Sequence, residues 1–194
     1  TSSYKRIWVW HNADLRKLKA DPVKMDTLIQ CLNNIEYSAR QANDTTMLGE
    51  AYLQRADLFR FLSPKDAVKN YRTALELFES CKNDTAVIHT MCHLSAVFMT
   101  FKNYEQAGYY FLKSFRKLSQ SGIKDYLLNS HVLEAGIDYY QKTGQWQKAS
   151  ETQTEYLALH IYRKQGEREV LMQAINAKQK SEEEEILLKA QNAE

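Results

Sequence analysis

Along most of the chain, apolar side chains recur at intervals of three and four residues. Leu28, Cys31, Leu32, Ile35 and Ala39 form one series, and Ala67, Tyr71, Ala74 and Phe78 a second. Met91, Leu94, Phe98 and Phe101 form a third, and Ala107, Phe111, Phe115 and Leu118 a fourth. That period puts each series on one face of an α-helix. No stretch alternates long enough to read as a strand, so the pattern predicts an all-α fold. Helix ends are marked too. Pro22 and Pro64 follow the capping residues Asp21 and Ser63. Proline suits the first helical position, because its missing N–H would have no intrahelical partner there. Asp66 places an acid in the same first turn, where the helix dipole favours it. Gly122 and Gly144 stand where helices should stop, and Asn43-Asp44-Thr45 and Asn83-Asp84-Thr85 supply cap chemistry between helices.

The chain is also self-similar. The Asn-Asp-Thr triplet recurs 40 residues on, from 43 to 83, and so does a small residue followed by an aromatic, from Ala67/Tyr71 to Ala107/Phe111. Ala149 lies 42 residues beyond Ala107. A period of that size holds two helices of roughly 17 residues and short turns, each helix about 25 Å long. The segments Phe98-Met-Thr-Phe-Lys-Asn-Tyr104-Glu-Gln-Ala107 and Tyr140-Gln-Lys-Thr-Gly144-Gln-Trp146-Gln-Lys-Ala149 match best. Each has an aromatic near the end of one helix, a short turn, an aromatic opening the next, and then alanine. The alanine lets two backbones approach closely, and the aromatics are expected to fill the wedge between neighbouring hairpins.

This pattern resembles the tetratricopeptide repeat over roughly residues 24–165. The stretch from His89 to Gln120 matches closely, with Met91, Leu94, Ser95 and Phe98 in its first helix and Ala107, Phe111 and Ser114 in its second. The stretch from Glu50 to Ser80 offers Tyr52, Ala56, Phe59, Ala67, Tyr71 and Ala74, with a turn one residue shorter. A third, from near Ser130, has Leu133, Tyr140, Gly144, Trp146 and Ala149, but carries Gln153 and Tyr156 where the family has an aromatic and a small residue. A first hairpin with Leu28, Cys31 and Ile35 matches poorly. The resemblance implies a right-handed superhelix of about four hairpins, with a short N-terminal helix before it and a long helix after it. The division expected is a repeat domain over 1–165 and a C-terminal helix or stalk over 166–194.

Composition narrows the function. The 194 residues carry 26 Lys plus Arg and 24 Asp plus Glu, a net charge of +2. Such balance leaves no footprint for direct nucleic-acid binding or for an acidic membrane surface. No run of apolar residues is long enough to span a bilayer. Cys31, Cys81 and Cys92 have no paired spacing, which excludes a disulfide scaffold. Cys31 and Cys81 lie within apolar series and are expected as small buried hydrophobes. The chain opens Thr1-Ser2-Ser3-Tyr4 without a methionine, and a helical pattern is still running near Glu194. A piece of a longer protein is the expectation.

Beyond Trp146 only Gly166 interrupts the helical pattern. Leu157, Ile161, Leu171 and Ile175 make a narrow stripe that thins into a polar run from Lys178 to Glu185 before Ile186, Leu187 and Leu188. So narrow a stripe cannot bury its helix in a globule. It leaves either a solvated end or a stalk that supports a homodimer through the C-terminal helix. Repeats followed by this tail resemble the extracytoplasmic regions of membrane-anchored bacterial regulators with a histidine kinase or DNA-binding output. The resemblance implies a periplasmic sensing or scaffolding role, with the membrane reached only through a segment outside this chain. A cytosolic scaffold or adaptor would share the fold.

Catalytic signatures are lacking: there is no GxGxxG, P-loop, GxSxG, HExxH or paired CxxC. His89-Thr-Met-Cys92-His93, with His131 at the same repeat position as His89, could be read as a metal-binding set. A closed zinc site usually shows regular Cys/His spacing, so no metal or cofactor is expected. Trp8 and Trp10 should face different sides of a helix, and one of each tyrosine pair, Tyr109/Tyr110 and Tyr139/Tyr140, should leave the core. The first helices of successive hairpins line the candidate groove. Its residues are Glu50, Leu53, Asp57 and Arg60, then His89, Cys92 and Met99, then His131, Glu134, Asp138 and Gln141. Acids, histidines and an arginine in one trough suit a bound peptide or helix, and point to a non-catalytic protein- or peptide-binding module. A metal-binding or enzymatic helical domain is the remaining alternative, and solvated faces of a spacer are the plain reading of the same residues.

Overall fold

Local chemistry starts five of the described helices. Asp44, Asn83, Asn103 and Asp125 accept the backbone N–H groups of Met47, Ala86, Gln106 and Leu128 at 2.7–3.1 Å. Ser63 caps differently: its hydroxyl donates to the Asp66 carboxylate while Pro64 occupies the first turn. These caps open α2 to α6 among the described helices, which are α1 (Pro22–Gln41), α2 (Thr45–Phe59), α3 (Pro64–Ser80), α4 (Asp84–Thr100), α5 (Tyr104–Ser121), α6 (Tyr126–Lys142) and α7 (Trp146–Gln191). The computed structural model describes residues 22–60 and 62–191, with side chains at 23, 25–60, 62–170 and 172–173. The expected short N-terminal helix with Trp8 and Trp10, the expected Asp21 cap, and the side chains of Leu171, Ile175 and the run from Lys178 to Leu188 lie outside the described residues.

The turns refine the repeat. Asn43, Lys82 and Lys102 adopt positive φ (52°, 55° and 57°), as Gly122 and Gly144 do. Asn43 and Lys82 stand directly before the capping residues Asp44 and Asn83. The two Asn-Asp-Thr triplets are therefore one residue out of structural register: the second residue caps in the first triplet and the first residue in the second. The sequence match at 40 residues corresponds to a structural step of one fewer.

Among the described residues there is no strand, and the seven helices pack in chain order. Pairs α2/α3, α4/α5 and α6/α7 form hairpins; α1 lies on α2, α3 on α4, α5 on α6, and α4 touches α6 directly. The chain is an all-α superhelix of stacked hairpins with a long C-terminal helix. Its core runs along the stack. Ala67, Tyr71, Ala74 and Phe78, the second apolar series, are all fully buried, as are Met91 and Leu94. The hairpins cross closely at small residues: the Ser95 hydroxyl of α4 donates to the Ala107 carbonyl of α5 at 2.9 Å, with both residues buried. Successive hairpins then lock ring against glycine. A Cβ on Gly108 of α5 would meet the Tyr139 hydroxyl at 2.6 Å, and one on Gly136 of α6 would meet Phe111 at 2.9 Å. Each helix gives a ring and receives one.

Several expectations change. Phe98 is buried but stacks on Tyr110 of its own hairpin (5.7 Å between centroids), and Trp146, which opens α7, is 69% exposed. Phe101 and Phe115 are also exposed; Phe101 lies just past the end of α4. Cys31 is exposed rather than buried, because α1 meets α2 through Met25, Ile29, Leu32 and Leu58, and Cys81, at the C-terminal cap of α3, is half-buried at the edge of the main core. Of the tyrosine pairs, Tyr109 turns outward while Tyr110 is buried; Tyr139 and Tyr140 are both half-buried. Helix α7 runs unbroken through Gly166, and every residue from Ile161 to Val170 is exposed. No described helix is long and apolar enough to cross a membrane.

Polar groups secure α1. Glu36 pairs with Arg55 of α2 at 2.7 Å and with Arg40 at 2.8 Å, and accepts the Tyr52 hydroxyl at 2.9 Å. Burial alone would raise its pKa; the bonds from Arg40, Arg55 and Tyr52 outweigh that and hold it at about 2, against an ordinary 4.5. A depressed carboxylate stabilises the fold fully above its unfolded pKa and loses that contribution as pH falls through the folded one. Thermal stability attributable to Glu36 should therefore be intact at pH 5 and decline between about 4.5 and 2. Melting of the wild type and Glu36→Gln over that range checks this: the difference between them should shrink as pH falls.

Candidate recognition groove

A row of half-buried polar side chains runs across α2, α4 and α6. At one end the buried Tyr71 of α3 donates its hydroxyl to Asp57 of α2. Burial, and then the Asp57 charge, push the Tyr71 phenol well above its usual range, with Arg60 opposing, so this hydroxyl stays a donor. Asp57 reaches across to α4, its Oδ1 lying 3.3 Å from His93 Nδ1. On the same helix, His93 Nε2 faces His89 Nε2 at 3.3 Å. His89 in turn stacks on His131 of α6, with ring centroids 5.0 Å apart and planes inclined by 25°. One line of contacts thus crosses all three hairpins. A second cluster continues on α6 and α7, where Tyr156 donates to Glu134 at 2.9 Å and the Tyr126 hydroxyl meets His160 Nδ1 at 2.6 Å. Arg163 lies over the Tyr126 ring at 4.4 Å. Burial, and then the bond to Glu134, raise the Tyr156 phenol to about 12.

Of the residues read from sequence, Asp57, His89 and His131 are brought into this row. Glu134 joins the second cluster. Glu50, Arg60 and Asp138 are half-buried, and Gln141 is exposed. Three others are not groove residues. Leu53 and Met99 are buried in the core shared by the first two hairpins. Cys92, one residue from His93, is turned about 100° around its helix, buried, with its thiol 3.6 Å from Ser114 Oγ of α5. Burial pushes that thiol up to about 12, which makes it inert at neutral pH.

Tyr71, Tyr156 and His160 escaped the sequence reading. Tyr71 sits in a clean apolar series and reads as core, which its ring is; only its hydroxyl reaches the groove. Tyr156 and His160 are four residues apart on α7, a signal that was legible but masked by its departure from the repeat pattern. His93 shares a face with His89 by the same spacing. Elsewhere, an open cavity of about 340 Å³ lies where α5, α6 and α7 meet, lined by Phe115, Leu118, Ile123, Val132 and Leu133, with Lys124 and Glu155 at its edge. No set of groups suited to acid–base or nucleophilic chemistry converges on it.

The fold and this row define the class: an all-α superhelix of helical hairpins with a row of polar side chains across its first helices. No family model matches the chain, and no curated protein matches it. Among solved structures it aligns with the crystal structure of BtubC (BKLC) from P. vanneervenii. Identity is 14% over 84% of this chain and 93% of that one, with a TM-score of 0.38.

Proposed function

We propose that this chain is a non-catalytic repeat module of the tetratricopeptide type that binds a protein or peptide in the groove of α2, α4 and α6. Its setting in this reading is the periplasmic sensing or scaffolding region of a bacterial membrane-bound signalling or transcription regulator. The observation that carries the binding role is the alignment of polar side chains from successive hairpins on one face, from Asp57 through His93 and His89 to His131. A trough built that way can hold an extended or helical segment along its length. The solvated stretch of α7 from Ile161 to Val170 supports a link to something further along. The test is selection of peptides from a random display library on the purified chain. Binders should weaken at least about tenfold, roughly 1.4 kcal/mol, in the double variant Glu134→Lys/Asp138→Lys and be unaffected by Leu112→Ser on the outer face of α5. Binders indifferent to the groove variant would overturn the reading. A run of about 20 apolar residues following Glu194 in the full gene is the expected sign of the membrane setting.

A further inference from the structure

We infer that the outer face of α5 is a self-association surface, on which α5 of a second copy of this chain lies antiparallel across a two-fold axis. The inference is independent of the peptide-binding role and uses none of the groove residues. It begins with a row at alternating spacings of four and three: Glu105, Tyr109, Leu112, Arg116 and Ser119. That spacing keeps the row on one side of its helix, as in the seam along which two helices pair. All five residues are exposed, Tyr109 by 54% and Leu112 by 47%. Phe115, beside the row, is 44% exposed. The other second helices treat these positions differently. Forty residues earlier, α3 has Lys65, Lys69, Arg72, Glu76 and Glu79, all charged and exposed. Forty-two residues later, α7 has Gln147, Glu151, Thr154, Ala158 and Ile161. Only α5 of these three carries an aromatic and a leucine at the centre of the row.

The charges of the row name its occupant. Glu105 stands at one end and Arg116 near the other, and among the described residues neither has an ion pair within its own chain. Lys113 and Lys117, on the flanks of α5, are already paired with Glu79 and Asp84. Glu105 and Arg116 lie symmetrically about the same midpoint as Tyr109 and Leu112, between Tyr110 and Phe111. Two copies of α5 laid antiparallel about that point bring Glu105 to Arg116 of the second copy, and Tyr109 to its Leu112, twice over. A parallel pair would set like charge against like. Beside Leu112 lies a shallow cavity of about 360 Å³, lined also by Phe115, Arg116, Ser119 and Gln120, with room for the Tyr109 ring of the second copy. Rim charges of this kind add little affinity but fix register and exclude wrong pairings. One helix pair falls below the roughly 1,200 Å² of standard interfaces, so the dimer is weak and reversible.

The experiment is sedimentation equilibrium of the whole chain from micromolar to millimolar concentration. The mass should rise reversibly to that of two chains. Leu112→Ser should weaken the dimer at least about tenfold, because the two-fold axis makes the loss count twice. Glu105→Arg and Arg116→Glu each set two like-charge pairs across the axis and should also weaken it about tenfold. The double variant Glu105→Arg/Arg116→Glu restores both pairs and should recover the dimer. Glu76→Lys, at the position on α3 equivalent to Arg116, should dimerise as wild type does. All these side chains are exposed, so circular dichroism should show unchanged helix content in each variant. A chain that stays monomeric throughout would overturn the inference and leave the face to a different protein. A dimer indifferent to Leu112→Ser and Arg116→Glu, as one formed along α7 would be, would overturn it too. So would a double variant that fails to recover, since the antiparallel register demands recovery.

Discussion

Tyr71→Ala should destabilise the chain by about 3–5 kcal/mol, the cost of emptying a large aromatic from a closed core. Tyr71 is fully buried, in the same cluster as Ala67, Ala74, Phe78, Met91 and Leu94. Its ring stacks on His93 at 5.4 Å, and its hydroxyl holds Asp57. Three helices therefore lose a common contact when it goes. Tyr71→Phe separates the two parts. It keeps the ring and removes one hydrogen bond to a carboxylate, a loss of about 1.5–3 kcal/mol. Urea unfolding of both variants checks the pair. A loss below about 1 kcal/mol for Tyr71→Ala would mean that the core does not pass between α3 and α4 at this point.

Ala107→Leu should cost about 1–3 kcal/mol by overpacking. Its side chain has no exposure, and its carbonyl accepts the Ser95 hydroxyl across the α4/α5 crossing at 2.9 Å. Extra volume there pushes the helices apart and strains that bond, whose own net worth is about 1 kcal/mol. The same substitution at the exposed Ala158 of α7 should stay within about 0.5 kcal/mol. Thermal denaturation of the two variants distinguishes close packing from a general effect of leucine. Equal melting temperatures would remove Ala107 from the hairpin crossing.

The groove was legible only in part. Asp57, His89 and His131 could be found because repeat spacing carries a position from one hairpin to the next. The same spacing misplaced Leu53, Cys92 and Met99. A position on the first helix of a hairpin is a groove position only within a narrow angular sector, and one residue of shift turns a side chain by about 100°. Trp146 was misplaced for another reason. An aromatic that opens a helix fills a wedge only where a neighbour closes it, and Trp146, which opens α7, is left largely exposed.

The sequence by itself determined the helices, their capping residues and the small-residue crossings within hairpins. Those depend on neighbours three or four places away, and on backbone groups that must be satisfied locally. Tertiary structure alone decided the row from Tyr71 through Asp57, His93 and His89 to His131. Its members come from four helices, and their meeting depends on the rotational register between hairpins. The turns do not set it alone: α1–α2 and α3–α4 are joined by turns of the same length, each with a positive φ before its capping residue, although their Asn-Asp-Thr triplets lie one residue out of register.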